Sequence, residues 1–225
     1  MNNKNNILNL INRLYLETIY NYKITNEEDR ELRNVYEFIY LVIIDICHNE
    51  NIDVLDIEVI GKGNFSNILR IGSKVVKIGS RRSIERFPNN SYINAMLLRY
   101  KINISKKLSL FIEVNELVDT NIIVTEEDLY QLYKKMRNLG LIWTDVKGEN
   151  VGRLIRDNRI YWKEDLIVND EGLGLDKFIG NKVLKRGDLV ILDNDLIFKE
   201  DSSNIIMNNR CRRLEERYKS EKGSK

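Results

Sequence analysis

The chain has 225 residues, 43% of them hydrophobic and 31% charged, a composition typical of folded domains with a substantial core. Because 36 Lys and Arg nearly balance 34 Asp and Glu, the net charge of +2 predicts no binding to nucleic acid or to an anionic membrane. Two cysteines and one histidine argue against a disulfide framework, a zinc site and histidine-based catalysis.

Helical patterns dominate the first 50 residues. Apolar residues recur at helical spacing in the first stretch, and Asn26 is predicted to cap a second helix with acidic residues in its first turn. Cys47 and His48 fall at the end of that helix, where core and capping roles are favoured over a nucleophile–base pair. These residues predict a helical N-terminal extension at 1–55.

Targeting features are missing from this N-terminal sequence. It has no basic region followed by an apolar run and a small-residue cleavage site, and the apolar run "FIYLVII" is too short to span a bilayer. The expected location is cytoplasmic and no membrane partner is expected, with secretion as an effector left open.

Short β-branched runs separated by Gly and Ser begin near residue 56: "IEVIGKG", "SNILRIG", "SKVVKIGS" and "LSLFIEVNELV". They predict a small antiparallel sheet. The segment "TEEDLYQLYKKMRNLG" then predicts a helix with Thr125 as its cap and Gly140 as its stop. Two more strand-like regions, "NVGRLIRDNRIYW" and "DLVILDNDLIF", precede a basic final helix. The expected fold class is α+β, with a ligand cleft between two lobes.

Glycine and lysine in the first strands are candidate phosphate ligands. Gly61 and Gly63 lie between two strands, where a missing Cβ allows backbone amides to approach a phosphate, although a hairpin turn needs glycine equally. Lys77 lies in a β-branched strand and therefore requires a partner such as a phosphate oxygen, unless it is an edge lysine whose ammonium reaches solvent.

The segment "LIWTDVKGEN" combines three residue types suited to phosphoryl transfer. Asp145 can orient or deprotonate a hydroxyl, Lys147 can neutralise a phosphoryl group, and Asn150 can hold a divalent cation. The spacing alone would arise by chance in roughly one in ten chains of this composition. Its position after a capped helix, downstream of the glycines and Lys77, makes it more specific.

A fourth element is "LVILDNDLIF", in which an apolar strand ends at Asp193. A carboxylate at the end of a buried strand is a natural Mg²⁺ ligand, because Mg²⁺ takes one or two protein oxygens together with phosphate oxygens. Asp195 could share or replace that role. The alternative is a strand followed by an acidic turn.

In this order the four elements resemble the protein kinase fold over roughly residues 57–200. The resemblance implies a small sheet lobe at about 56–118 and a reduced helical lobe at about 119–225, with ATP and Mg²⁺ as cofactors. By position it implies that Gly61 and Gly63 belong to the glycine-rich loop and that Lys77 is the lysine of the third strand. Glu116 and Val118 would bound the hinge that meets adenine.

The same resemblance implies the roles of the second half. Asp145 matches the catalytic aspartate, Lys147 the lysine and Asn150 the asparagine of the catalytic loop, and Asp193 matches the metal-binding aspartate of the DFG triplet. A lysine two residues after the catalytic aspartate, here Lys147, favours protein kinases over small-molecule kinases of the aminoglycoside type.

Several residues depart from the kinase pattern. Trp143 and Thr144 replace His-Arg, Asn194 and Asp195 replace Phe-Gly, and too few residues follow Asp193 for a full activation segment. The segment "SYINAMLLRY", where the helix partner of Lys77 is expected, contains no acidic residue, and Glu85 is the nearest candidate. The chain is similar in its shortening to minimal kinases that some bacterial pathogens deliver to host cells.

The sequence therefore predicts an ATP- and Mg²⁺-dependent phosphotransferase, a minimal serine/threonine protein kinase-like enzyme that acts on an unknown protein or small molecule. One alternative is a pseudokinase that binds nucleotide or protein without turnover. Another is a small-molecule kinase. A regulatory protein partner that replaces the missing helix residue is a further expectation.

Overall fold

The computed structural model describes residues 4–62, 66–81, 96–105, 108–143, 146–157, 175–179, 184–192, 197–199 and 216. These residues form an α+β protein, which confirms the α+β part of the predicted fold class. The helices are α1 (Lys4–Tyr22), α2 (Asn26–Glu50) and α3 (Glu126–Asn138). The strands are β1 (Glu58–Lys62), β2 (Ser66–Ile71), β3 (Lys74–Arg81), β4 (Met96–Ser105), β5 (Leu108–Glu116), β6 (Val118–Asp119), β7 (Leu141–Trp143), β8 (Val151–Leu154), β9 (Leu175–Ile179), β10 (Leu189–Ile191) and β11 (Ile197–Lys199).

The N-cap of helix α2 lies one residue earlier than predicted. Thr25, not Asn26, is the N-cap: its side chain accepts from the Glu28 amide, and the Glu28 carboxylate accepts from the Thr25 amide. This capping box satisfies two backbone donors that a helix start leaves without partners. The helix ends at Glu50, and the next residue, Asn51, is its C-cap, with a φ of 53° in the left-handed region.

Six antiparallel strands form the main sheet in the order β1-β2-β3-β5-β4-β9. Strands β1, β2, β3 and β5 come from the runs predicted to be strands, whereas β4 includes residues where the kinase resemblance implied a helix. Strand β9 comes from "LIVNDEGLGLDKFIGNK", a stretch in which no strand was predicted. Its pairing with β4 makes part of that stretch an integral strand of the sheet.

Helix α2 packs on one face of this sheet, and α1 packs against α2. Their apolar residues share a single core with alternate residues of the strands, and the Phe38 ring of α2 meets the Tyr100 ring of β4 edge to face at 5.1 Å. Such edge-to-face contacts add to the stabilisation from buried area. The predicted N-terminal extension is therefore packed on the sheet and shares its core.

Helix α3 organises the second half of the chain. Thr125 caps it as predicted, through a capping box with Asp128, and Gly140 follows its end with a φ of 69°. Its apolar face packs with β7, β8, β10 and β11 in one core of Leu129, Leu132, Met136, Leu141, Trp143, Val151, Ile191 and Ile197. Strand β8 pairs with β10 and β6, and β7 pairs with β11.

The chain divides into two compact units. Unit 1 consists of residues 1–84, 96–117 and 159–180, and unit 2 of residues 85–95, 118–158 and 181–225. The division after Leu117 falls within the segment whose resemblance implies a hinge. Among the described helices, none combines the length and apolarity needed to cross a membrane.

Replacing Gly152 of β8 with alanine is expected to destabilise unit 2. A Cβ there would lie 2.7 Å from Val118 Cγ2 and 3.3 Å from the Asp119 carbonyl oxygen. Because the β-branched valine and the backbone move little, the clash should lower the free energy of unfolding by about 1–3 kcal/mol. Urea unfolding measures the loss. Gly148→Ala is the control, since its Cβ would meet Val124 at an ordinary 3.6 Å, and equal losses would contradict the clash.

Candidate functional site

One face of the unit 1 sheet carries a row of aligned residues across five strands. Gly61 is opposite Ile68, which is opposite Lys77, and Lys77 is opposite Glu113, which is opposite Arg99. Directly opposed residues of antiparallel strands point to the same side of the sheet. The row therefore brings two of the predicted site residues, Gly61 and Lys77, to one face.

Lys77 has a carboxylate partner on the next strand. Its Nζ lies 3.9 Å from Glu113 Oε1. The sequence expectation placed this partner in a helix at 91–100, but Met96–Tyr100 belong to strand β4, so that part of the expectation is wrong. The other candidate, Glu85, lies outside the described residues.

Apolar side chains flank Lys77 on the same face. Ile68 and Val75 are both half-buried, so part of each side chain is open to a ligand. A Cβ on Gly61 would meet Ile68 at an ordinary 3.6 Å, and steric crowding therefore does not demand glycine there. Gly63 lies outside the described residues. A half-buried apolar patch beside a cation suits an aromatic base that carries phosphates.

The segment implied to be a hinge has a buried ion pair at its start. Glu116 ends β5, and its fully buried carboxylate lies 2.7 Å from Lys74 Nζ, which is also 3.4 Å from Glu50 Oε1. The Leu117 amide donates to the Ser73 carbonyl oxygen. Val118 lies in β6, opposite Leu154.

Sequence reasoning missed the Lys74 cluster, although it contains a predicted site residue, Glu116. The signal was available in part, because "SKVVKIGS" has two lysines three positions apart, and in a strand these point to opposite faces. Lys77 is on the face with Gly61, and Lys74 faces the side covered by α2, whose last residue is Glu50. Two lysines of one strand therefore have different surroundings.

The segment containing Asp145 and Lys147 follows a residue held in the core, Trp143. Trp143 is fully buried in the unit 2 core and is opposite Ile197 in the β7–β11 pair. Its indole Nε1 donates to no acceptor within the described part of the chain. Thr144 and Asp145, which follow, lie outside the described residues.

The other end of that segment is also fixed. Lys147 precedes a short 3₁₀ turn that ends at Asn150. The Lys147 side chain is half-exposed, and its ammonium lies 3.7 Å from a Glu149 carboxylate oxygen. The Leu192 amide donates to the Asn150 carbonyl oxygen at 2.8 Å. Leu192 is the residue before Asp193, and Asp193, Asn194 and Asp195 lie outside the described residues.

Two backbone connections therefore join the two candidate segments of unit 2. Residues 143 and 150 bracket Asp145 and Lys147, and their partners 197 and 192 bracket Asp193 and Asp195. Within the described ranges, no three His, Cys, Asp or Glu side chains cluster as a metal site. Asn150, the last residue of the turn that follows Lys147, has a side-chain oxygen of the kind that Mg²⁺ prefers.

Cys47 has the surroundings of a core residue. It is buried in the core between α2 and the sheet, and burial raises the pKa of its thiol to about 11. A thiol with a raised pKa is a poor nucleophile at neutral pH, because the thiolate is the reactive form. These surroundings agree with a structural role for Cys47.

No protein-family model matches the sequence, and the comparison with curated proteins gives no match.

Proposed function

We propose that this protein is an ATP- and Mg²⁺-dependent phosphotransferase with a minimal, two-lobed protein kinase-like fold. The observation that carries the proposal is the double connection in unit 2, between Trp143 and Ile197 and between Asn150 and Leu192. Since neighbouring Cα atoms are about 3.8 Å apart, these connections limit how far Asp145 and Asp193 can lie from one another. A catalytic aspartate and a metal-binding aspartate need such proximity.

The proposed reaction moves the γ-phosphoryl group of ATP to a hydroxyl oxygen of the acceptor. The bond between the γ-phosphorus and its bridging oxygen breaks, ADP leaves, and the hydroxyl proton passes to the Asp145 carboxylate. Lys147 screens the charge of the γ-phosphate. Asn150 and Asp193 would hold Mg²⁺, which supplies electrostatic stabilisation of phosphate charge when bound.

Unit 1 contributes nucleotide contacts in the same proposal. Lys77 holds the α- and β-phosphates, with the Gly61–Gly63 loop close to the phosphates. Ile68 and Val75 supply apolar surface for the base, and the segment from Glu116 to Val118 supplies backbone groups for its polar edge. Because the Glu116 side chain is in a buried ion pair, its contribution would be through the backbone.

Nucleotide binding is expected to stabilise the folded protein. A ligand at 100 times its Kd adds about 2.7 kcal/mol to the free energy of unfolding, which raises the melting temperature by roughly 5 °C or more. Millimolar ATP with Mg²⁺ should therefore give a thermal shift. Lys77→Ala, Asp193→Ala or EDTA should remove most of it, because each takes away a phosphate or metal contact.

The control for this measurement is Lys134→Ala, which removes an exposed lysine of α3 and should leave the shift intact. A folded wild-type protein with no shift would contradict nucleotide binding. Radiolabelled ATP then distinguishes the alternatives: transfer to protein, transfer to a small molecule, or binding without transfer, as in a pseudokinase.

A further inference from the structure

The carboxylate opposite Lys77 is buried more deeply than the lysine itself. Glu113 of β5 has 4% of its side chain exposed, whereas Lys77 has 22%. Burying a carboxylate is costly unless cations or donors surround it. The Lys77 side chain is more exposed than that of Glu113, so its ammonium is the charged group of the pair that a ligand can reach.

Two further side chains hold the Glu113 carboxylate. Asn115 Nδ2 donates to Oε1 at 3.1 Å, and Arg99 Nε lies 3.8 Å from Oε2. The Arg99 guanidinium is itself placed over the Phe111 ring, 5.2 Å from its centre. Contacts on both oxygens restrict the carboxylate, and the restricted carboxylate in turn restricts where the Lys77 ammonium can sit.

We propose that Glu113 is a positioning residue for phosphoryl transfer: it sets the Lys77 ammonium against the nucleotide phosphates, and Arg99 and Asn115 hold it in place. The inference rests on the proposed function. Lys77 and Glu113 are directly opposed on two neighbouring, hydrogen-bonded strands. The pair therefore forms whenever the sheet folds, and it needs no partner protein to supply the carboxylate.

The first measurement is steady-state turnover of radiolabelled Mg²⁺-ATP, with water and the protein itself as acceptors. Glu113→Gln keeps the shape of the side chain but removes its charge. Because a small misplacement of a phosphate ligand is costly, we expect kcat to fall by at least about tenfold and KM for ATP to change less than about threefold. Glu113→Asp, which keeps the charge, should lie between wild type and Glu113→Gln.

The matched control is Glu50→Gln. It also removes a carboxylate beside a β3 lysine, Lys74, but on the opposite face of the sheet. Its kcat should stay within about threefold of wild type. A purely structural effect of charge removal would instead lower the turnover of both variants.

A double-mutant cycle with Lys77→Met tests whether Glu113 acts through the lysine. In the Lys77→Met background, Glu113→Gln should cause less than about twofold further loss, because the positioned group is already absent. An additional tenfold loss there would overturn the proposal, since Glu113 would then act independently of Lys77.

The remaining outcomes separate this inference from the proposed function. If wild type turns over ATP and Glu113→Gln keeps its kcat, the positioning role is wrong while the phosphotransferase function stands. The positioning role is equally wrong if Glu85→Gln, and not Glu113→Gln, loses turnover. If the folded wild type binds no Mg²⁺-ATP and transfers no phosphate, both the function and the positioning role are overturned.

Discussion

Replacing Asp145 with asparagine is expected to slow phosphoryl transfer by about 10²- to 10⁴-fold, the usual contribution of a general base. The asparagine keeps the size of the side chain but cannot accept the acceptor's proton. Nucleotide affinity should hardly change, because Asp145 acts on the acceptor and not on ATP. The measurement is transfer from radiolabelled ATP, together with the thermal shift that ATP and Mg²⁺ produce.

The structure supplies a matched control for this variant. Glu126 is the first residue of α3, is exposed, and loses the same single charge in Glu126→Gln. Its transfer rate should remain within about threefold of wild type, as expected for an exposed surface substitution. If Asp145→Asn retains wild-type transfer, the interpretation of "WTDVKGEN" as a catalytic loop is wrong.

The second large effect concerns stability. Lys74→Met removes the ammonium that lies 2.7 Å from the fully buried Glu116 carboxylate. Breaking a buried pair by removing one partner leaves a buried charge, and the free energy of unfolding should fall by about 3–5 kcal/mol. Urea unfolding measures the loss. The double variant Lys74→Met/Glu116→Gln should recover part of this stability, because the second change removes the buried charge that Lys74 no longer neutralises.

Lys77→Met is the control, since it makes the same change three residues along the same strand. Its pair with Glu113 is longer, at 3.9 Å, and Arg99 and Asn115 still hold the Glu113 carboxylate after the change, so the loss should be about 1 kcal/mol. For nucleotide binding we expect the opposite order of effects. Lys77→Met should lose the thermal shift with ATP, and folded Lys74→Met should keep it. Equal stability losses in Lys74→Met and Lys77→Met would contradict the different surroundings of the two lysines.

Local patterns allowed most elements to be predicted. Helices α1 and α2, the strand runs from residue 58 and the capped helix α3 each have a signal within a few neighbouring residues, either apolar periodicity or cap chemistry. The cap of α2 was misplaced by one residue because Thr25 and Asn26 both suit the position, and the choice depends on which of them reaches the Glu28 amide.

Pairing across long sequence separations could not be predicted in the same way. Nothing local in "GLDKFIG" indicates that it joins the sheet beside β4. Likewise, Glu113 becomes the partner of Lys77 only through the register of β3 and β5, which sequence periodicity does not determine. The alternation in "FIEVNE" does put Glu113 and Asn115 on one face, so a search of that strand would have found the carboxylate.

The pairing of β4 with β9 has a consequence for the chain while it is being translated. Strand β4 is translated well before β9, its outer neighbour in the finished sheet. Until β9 leaves the ribosome, the hydrogen-bonding groups on the outer edge of β4 have no strand to pair with, and such an open edge invites pairing with other chains. A nascent chain that stops before residue 175 would therefore be prone to aggregate through β4, however well its helices had formed.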